Sequence, residues 1–104
     1  MDASYGFKAE IAKALAHPTR LFIIDRLRKR DICVCEFVEF IDADQSTVSK
    51  HLAVLRSAGI VSTAKDGNKV FYHLEMPCVT NFFECAARAL KASLKKRTLA
   101  ISKQ

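Results

Sequence analysis

The apolar positions recur at helical spacing from the N-terminus onward. Phe7, Ile11, Ala14 and Leu15 fall at i, i+4, i+7 and i+8, which predicts an amphipathic helix over 5–16. Leu21, Ile24 and Leu27 predict a second helix over 18–29. Pro18 sits at its first position, where a missing N–H costs nothing. Arg20, Arg26, Arg28, Lys29 and Arg30 fall outside that stripe. The stretch from Asp31 to Ile41 predicts a short helix over 33–41, although its alternation also fits a strand. After the polar break Asp42-Ala43-Asp44, Val48, Leu52 and Leu55 mark a helix over 45–58. Asp44 is suited to cap it, and Gly59 to end it.

The period then changes. Ile60 to Lys65 and Val70 to Leu74 are rich in β-branched and aromatic residues, and Asp66-Gly67-Asn68-Lys69 joins them, which predicts a hairpin over 60–75. Pro77 opens a last helix, expected over 77–97, whose stripe is Val79, Phe83, Ala86, Leu90 and Leu94 with Phe82, Cys85 and Ala89 beside it. The order is four helices, a hairpin and a final helix. That is a mostly α chain with a small β-hairpin, the pattern of a winged helix-turn-helix. The helix-turn-helix is placed at 33–58 and the wing at 60–75.

Length and composition agree. The 104 residues allow one domain, 1–104, and the 50% hydrophobic and 27% charged content is globular. No apolar run approaches the ~20 residues of a membrane span. Met1-Asp2-Ala3-Ser4 does not open a signal peptide, so the expectation is a cytoplasmic protein with no membrane partner. Three Gly and two Pro are too few for an all-β domain. No Gly-rich phosphate loop, recognisable carboxylate pair or supported Cys-His arrangement points to an enzyme.

The net charge of +6 favours a polyanionic partner. Part of the excess is in Lys91, Lys95, Lys96, Arg97 and Lys103. A helix that reads the major groove presents small polar side chains outward and hides an apolar face. Gln45, Ser46, Thr47, Ser49 and Lys50 are polar, while Val48 and Leu52 point inward. Lys50 and Arg56 are placed to meet phosphates of double-stranded DNA, and Lys65, Asn68 and Lys69 form the wing tip. An ordinary surface helix carries the same residue types. A basic module that binds an acidic protein is therefore the alternative outside nucleic-acid binding. His17, His51 and His73 are spread over three elements and read as structural.

Four cysteines, Cys33, Cys35, Cys78 and Cys85, would be reduced thiols in a cytosol, so metal binding or redox chemistry is favoured over structural disulfides. Cys33-Val34-Cys35 suits a soft, thiophilic ion. On a regular helix, i and i+2 lie ~200° apart. Two thiolates there would chelate one ion only if the helix distorts, which would couple the site to the helix that follows. Arg28, Lys29 and Arg30 are expected to favour thiolate, and Glu36 to oppose it. Cys78 and Cys85, ~10 Å apart along one helix, cannot both join one ion. One of them is the candidate third thiolate, and otherwise both read as small buried hydrophobes. A thiol redox or persulfide switch at the same pair is the other chemistry.

Over roughly 9–75 the chain resembles the ArsR/SmtB metalloregulatory repressors. The matching stretches are His17-Pro18-Thr19-Arg20-Leu21, Ile32-Cys33-Val34-Cys35-Glu36, Gln45 to Leu52, Leu55 to Gly59, and Asp66 to Tyr72. The Cys33-Val34-Cys35 box is similar to that of the arsenical-responsive branch. The resemblance implies a homodimeric repressor that leaves operator DNA when Cys33 and Cys35 bind As(III) or Sb(III). It also implies dimerisation through the first and last helices, here Phe7, Ile11, Leu15, Phe82, Phe83, Leu90 and Leu94. One departure stands out. The arsenical box often has a further cysteine shortly after the pair, and Phe37 and Val38 occupy that stretch here. The site is then two-thiolate or borrows Cys78 or Cys85, and a two-thiolate site also suits a methylated trivalent arsenical. The last helix carries Glu84 but no His, which argues against the zinc site of the other branch.

Overall fold

The computed structural model describes the backbone of residues 1–102 and the side chains of residues 1–98. Lys103, counted above in the basic tail, lies outside them. The elements in order are α1 (Ser4–Leu15), α2 (Pro18–Leu27), β1 (Ile32–Cys33), α3 (Val34–Ile41), α4 (Gln45–Ser57), β2 (Val61–Asp66), β3 (Lys69–Leu74) and α5 (Cys78–Ser102). This is the expected winged helix-turn-helix with one addition. A two-residue strand precedes α3 and makes the wing part of a three-stranded antiparallel sheet, ordered β1-β3-β2. Ile32 pairs with Tyr72 and Cys33 with Phe71.

The ends of the helices follow local chemistry. His17 caps α2: its Nδ1 accepts from Thr19 N–H at 3.0 Å, with Pro18 at the first helical position. Asp44 caps α4 by accepting from Thr47 N–H at 2.7 Å. Between α3 and α4 the chain turns through Asp42 at φ 55°, a left-handed conformation that a short polar side chain tolerates. Gly59, at φ 78°, lets α4 close on itself. Gly59 N–H bonds the Arg56 carbonyl and Ile60 N–H bonds the Leu55 carbonyl, both at 3.0 Å, the Schellman pattern. Gly67, at φ 63°, opens the two-residue turn of the wing.

The core lies between α2, α3, α4 and the sheet. Phe37 on α3 is fully buried with Val48, Leu52 and Leu55 of α4, Ile23 of α2, and Ile32 and Ile60. Burying a ring of this size contributes about 1.5–3 kcal/mol, and here it joins α3 to α4. Only the first turns of α5 pack against this core, through Val79 and Phe83, and the molecule measures 63 × 40 × 22 Å with a radius of gyration of 17.2 Å. A compact domain of this length has about 13 Å. Among the described residues no helix is long and apolar enough to cross a membrane.

The left-handed backbone at Gly59 generates a stability prediction. A Cβ there meets only Met76 Cε at 3.8 Å, so space is not the obstacle and the cost is backbone strain. Gly59→Ala is expected to destabilise the fold by about 1–2 kcal/mol, read as a lower urea midpoint with an unchanged slope.

Candidate functional site

The thiol pair stands where a strand becomes a helix. Cys33 is extended, at φ −86° and ψ 159°, and is the residue before α3. Cys35 is in the first turn of α3. The expected helix over 33–41 therefore begins one residue later, and the i, i+2 divergence derived for a regular helix does not apply. Pairing of Cys33 with Phe71 pulls it out of the helix and turns its side chain toward that of Cys35. The two Cα atoms are 5.4 Å apart and the two sulfurs are joined as a disulfide. The sulfurs meet with α3 intact, so the expected need to distort the helix is corrected. Cys33 is 2% exposed and Cys35 is exposed, so the pair has one buried end and one open end.

The basic run before the pair is already engaged. Arg30 grips Glu36 with two hydrogen bonds, Nη1 to Oε1 at 3.2 Å and Nη2 to Oε2 at 2.5 Å. That hydrogen bonding, with the Arg30 charge, holds the Glu36 carboxyl below the usual range. Arg28 reaches α5 instead, bonding Glu84 Oε1 at 2.5 Å. The expectation that Arg28 and Arg30 act directly on the thiols gives way to this pairing. Glu36 Oε1 is the carboxylate oxygen at the site, 3.9 Å from Cys33 Sγ.

Cys78 and Cys85 are exposed on α5, where small buried hydrophobes had been expected. Neither completes a donor set within the chain. Among the described residues no three of His, Cys, Asp and Glu gather into a group able to hold a metal ion.

The polar face of α4 is presented as expected. Gln45, Ser46, Thr47, Ser49, Lys50 and Arg56 are exposed, while Val48, Leu52 and Leu55 are fully buried. The Asp44 carboxyl, lowered by its hydrogen bonds to Thr47, stays charged at the start of the helix. Lys65, Asn68 and Lys69 are exposed at the wing tip. On α1 and α5, Phe7 is 72% exposed, Phe82 67%, Leu90 62% and Leu94 50%. Ile11 and Phe83 are half-buried, whereas Leu15 belongs to the chain's own core. Ile11, Leu15, Leu21, Val79, Phe82 and Phe83 line one cleft between α1, α2 and α5.

One cluster was not legible in advance. His17 and His51, distant in sequence, meet with ring centroids 4.4 Å apart and planes tilted by 46°. Arg20 Nε donates to His51 Nδ1 at 3.2 Å, and Arg20 Nη1 reaches the carbonyl oxygens of Ala14 at 3.4 Å and Lys13 at 3.5 Å. The knot ties the end of α1 and the start of α2 to α4. No local spacing signals it, because its members come from three separate elements. His73, by contrast, pairs with Asp31 at 2.7 Å on the exposed flank of β1 and β3.

A chain whose exposed polar helix and basic-tipped hairpin stand on one buried core belongs to the winged helix-turn-helix proteins that bind DNA. Residues 17–63 match the model for bacterial regulatory proteins of the arsR family. The chain is 36% identical over 94 residues to an uncharacterized HTH-type transcriptional regulator of Mycobacterium tuberculosis, covering 89% of this chain and 82% of that protein. The crystal structure of that regulator superposes with a TM-score of 0.78 at 34% identity, covering 94% of this chain and 99% of the other. The protein thus belongs to the arsR family of transcriptional regulators. It is also 38% identical over 71 residues to the arsenical resistance operon repressor of Staphylococcus xylosus, which is 68% of each chain. A homodimeric winged helix-turn-helix DNA-binding domain from Mycobacterium bovis has a TM-score of 0.76 at 26% identity, covering 89% of this chain and 86% of that one.

The two histidine environments make opposite contributions with pH. Burial first, then His17 and Arg20, lower the His51 value. Its neutral form is the folded form, so the stability it contributes is complete above about pH 6.5, the ordinary imidazole value, and is lost as the pH falls below it. The His73 value is raised by its hydrogen bond to Asp31 and by the Asp31 charge. Its contribution is present below about pH 6.5 and disappears as the pH rises through the raised value. In urea titrations from acid to neutral pH, His51→Gln is expected to flatten the acid-side loss of stability. His73→Gln removes only a small opposite slope, since that pair is exposed.

Proposed function

We propose that this protein is a homodimeric repressor that binds operator DNA and leaves it when Cys33 and Cys35 capture a trivalent metalloid, As(III) or Sb(III). The observation that carries the reading is the placement of the two sulfurs across the joint between wing and helix-turn-helix. Cys33 belongs to β1, which pairs with β3 of the wing. Cys35 belongs to α3, which packs through Phe37 on α4. A ligand that bridges both sulfurs sets the angle between these two bodies.

The donor set suits the ligand. Both sulfurs are soft and polarizable, within bonding reach of each other, and open to solvent at the Cys35 end. Capture needs the reduced pair: a cellular thiol such as glutathione first gives two electrons and two protons to the Cys33–Cys35 disulfide, and each As–S bond then forms as one thiol gives its proton to a hydroxyl of the metalloid, which leaves as water. A geometry of β1 and α3 that the bridged form prefers and DNA does not draws the population away from the operator, and by linkage DNA weakens ligand binding equally. Gln45, Ser46, Thr47 and Ser49 face the major groove in this reading. Lys50, Arg56, Lys65, Asn68 and Lys69 meet the backbone or an adjacent groove. Phe7, Ile11, Phe82, Phe83, Leu90 and Leu94 form the subunit interface, supported by the exposure of Phe7, Phe82, Leu90 and Leu94 and by the homodimeric Mycobacterium bovis domain.

The bonded sulfurs support a second reading, a thiol redox switch at the same pair. Two thiols would give up two electrons and two protons to a peroxide, which leaves as two waters. Intact mass separates the readings: a loss of two hydrogens with no response to arsenite favours the redox switch.

Under the metalloid reading, Cys33→Ser and Cys35→Ser are each expected to keep operator affinity and to lose release by arsenite in an anisotropy titration on the promoter duplex. Normal release in both variants would refute the site. Lys50→Ala is expected to weaken binding to all sequences and to reduce the slope of log K against log salt by about one. An unchanged slope removes Lys50 from the phosphate contacts.

A further inference from the structure

We propose that the contact between Arg20 and His51 is a proton-operated tether, through which acid weakens the grip of α4 on operator DNA. The inference rests on the DNA-binding reading above and does not involve the cysteine pair.

The tether is a hydrogen bond whose acceptor exists in one protonation state only. Arg20 Nε donates to His51 Nδ1 at 3.2 Å. A guanidinium has no acceptor and keeps its charge, so the bond requires a neutral His51 ring with its proton on Nε2. His17 stands under the same condition, because its Nδ1 accepts from Thr19 N–H. A proton on His51 Nδ1 would take away the acceptor and set a second cation against Arg20, with the His17 ring 4.4 Å away. The groups that act on His51 are Arg20 from α2 and His17 from the corner between α1 and α2, and no carboxylate is among them. Along the same groove as Arg20, α1 brings Glu10 and Lys13, which pair with each other at 3.5 Å. On α4 itself, Lys50 and Arg56 are exposed. Burial first, then His17 and Arg20, already disfavour the charged ring.

What the proton releases follows from what else Arg20 holds. Its Nη1 reaches the carbonyl oxygens of Ala14 and Lys13, and neither of these acceptors titrates. With His51 charged, Arg20 keeps α1 and lets go of α4. The freed element is the helix whose polar side chains face the major groove in the reading above. The tied form excludes the proton and holds α4 in place, so DNA that selects this form competes with the proton, and each weakens the other equally. The sign is diagnostic. On a chain of net charge +6, added positive charge by itself strengthens binding to a polyanion. A loss of affinity in acid is therefore the mark of the tether. His73, bonded to Asp31 at 2.7 Å on the flank of the sheet, gains from its charge and serves as the control.

The test follows the anisotropy of the full chain on its promoter duplex and on a scrambled duplex at constant ionic strength. Affinity for the promoter is expected to fall at least about tenfold from pH 7.5 to pH 5, across the imidazole range. Affinity for the scrambled duplex should hold or rise. His51→Gln offers Arg20 an acceptor that does not titrate, and should remove the fall while His73→Gln keeps it. In heteronuclear NMR of the free wild-type protein, the Arg20 Nε–H signal should shift with the same midpoint as the His51 ring, a readout that needs no variant to fold. A promoter affinity that stays flat or rises in acid overturns the tether. So does an equal fall in His51→Gln, or an Arg20 signal indifferent to the His51 titration. Absence of binding to either duplex at neutral pH would instead bring down the DNA-binding reading, and the coupling with it.

Discussion

Cys33 commits its backbone to the sheet, opposite Phe71 of β3, and one residue later the chain is helical. That change of direction is the constraint on which the rest of the site depends. It takes the first sulfur off the helix and turns it toward the second. It also divides the pair between two elements, since Cys33 belongs to β1 and Cys35 to α3. Were both residues helical, the sulfurs would point apart and a ligand could join them only by unwinding a turn.

The body under this joint is rigid for a definite reason. Phe37, Val48, Leu52 and Leu55 are fully buried, and the interior tolerates a missing ring poorly. The ends of α4 are fixed by Asp44 at the start and by the left-handed Gly59 at the finish. A small displacement at the cysteines is therefore not absorbed inside the helix-turn-helix. It has to appear as a change of position between the helix-turn-helix and the wing.

Much of the architecture could be read along the chain, because each element announces itself locally. Pro18 and Asp44 start helices, Gly59 ends one, and Asp66-Gly67-Asn68-Lys69 turns a hairpin; all stand where the residues placed them. The polar face of α4 was equally legible from the spacing of Val48, Leu52 and Leu55. What escaped was set by partners distant in sequence. Helical period and β alternation compete over Asp31 to Ile41, and the contact that splits them is pairing with Tyr72 and Phe71. Arg30 looked like a charge free to act on the thiols until the fold brought Glu36 against it. The contact of His17 with His51, and the reach of Arg20 to both α1 and α4, belong to the assembled fold and leave no local trace.

Arg20 has a geometric consequence. One guanidinium touches carbonyls near the end of α1 and the ring of His51 on α4, so the inclination of α4 is referenced to α1. In the proposed two-fold assembly built on α1 and α5, that inclination would fix the distance between the two copies of α4. Half-sites on DNA recur at one helical turn, about 10–10.5 base pairs, or multiples of it. A single side chain inside each subunit would thus act as a gauge, setting which operator spacings both subunits can grip at once.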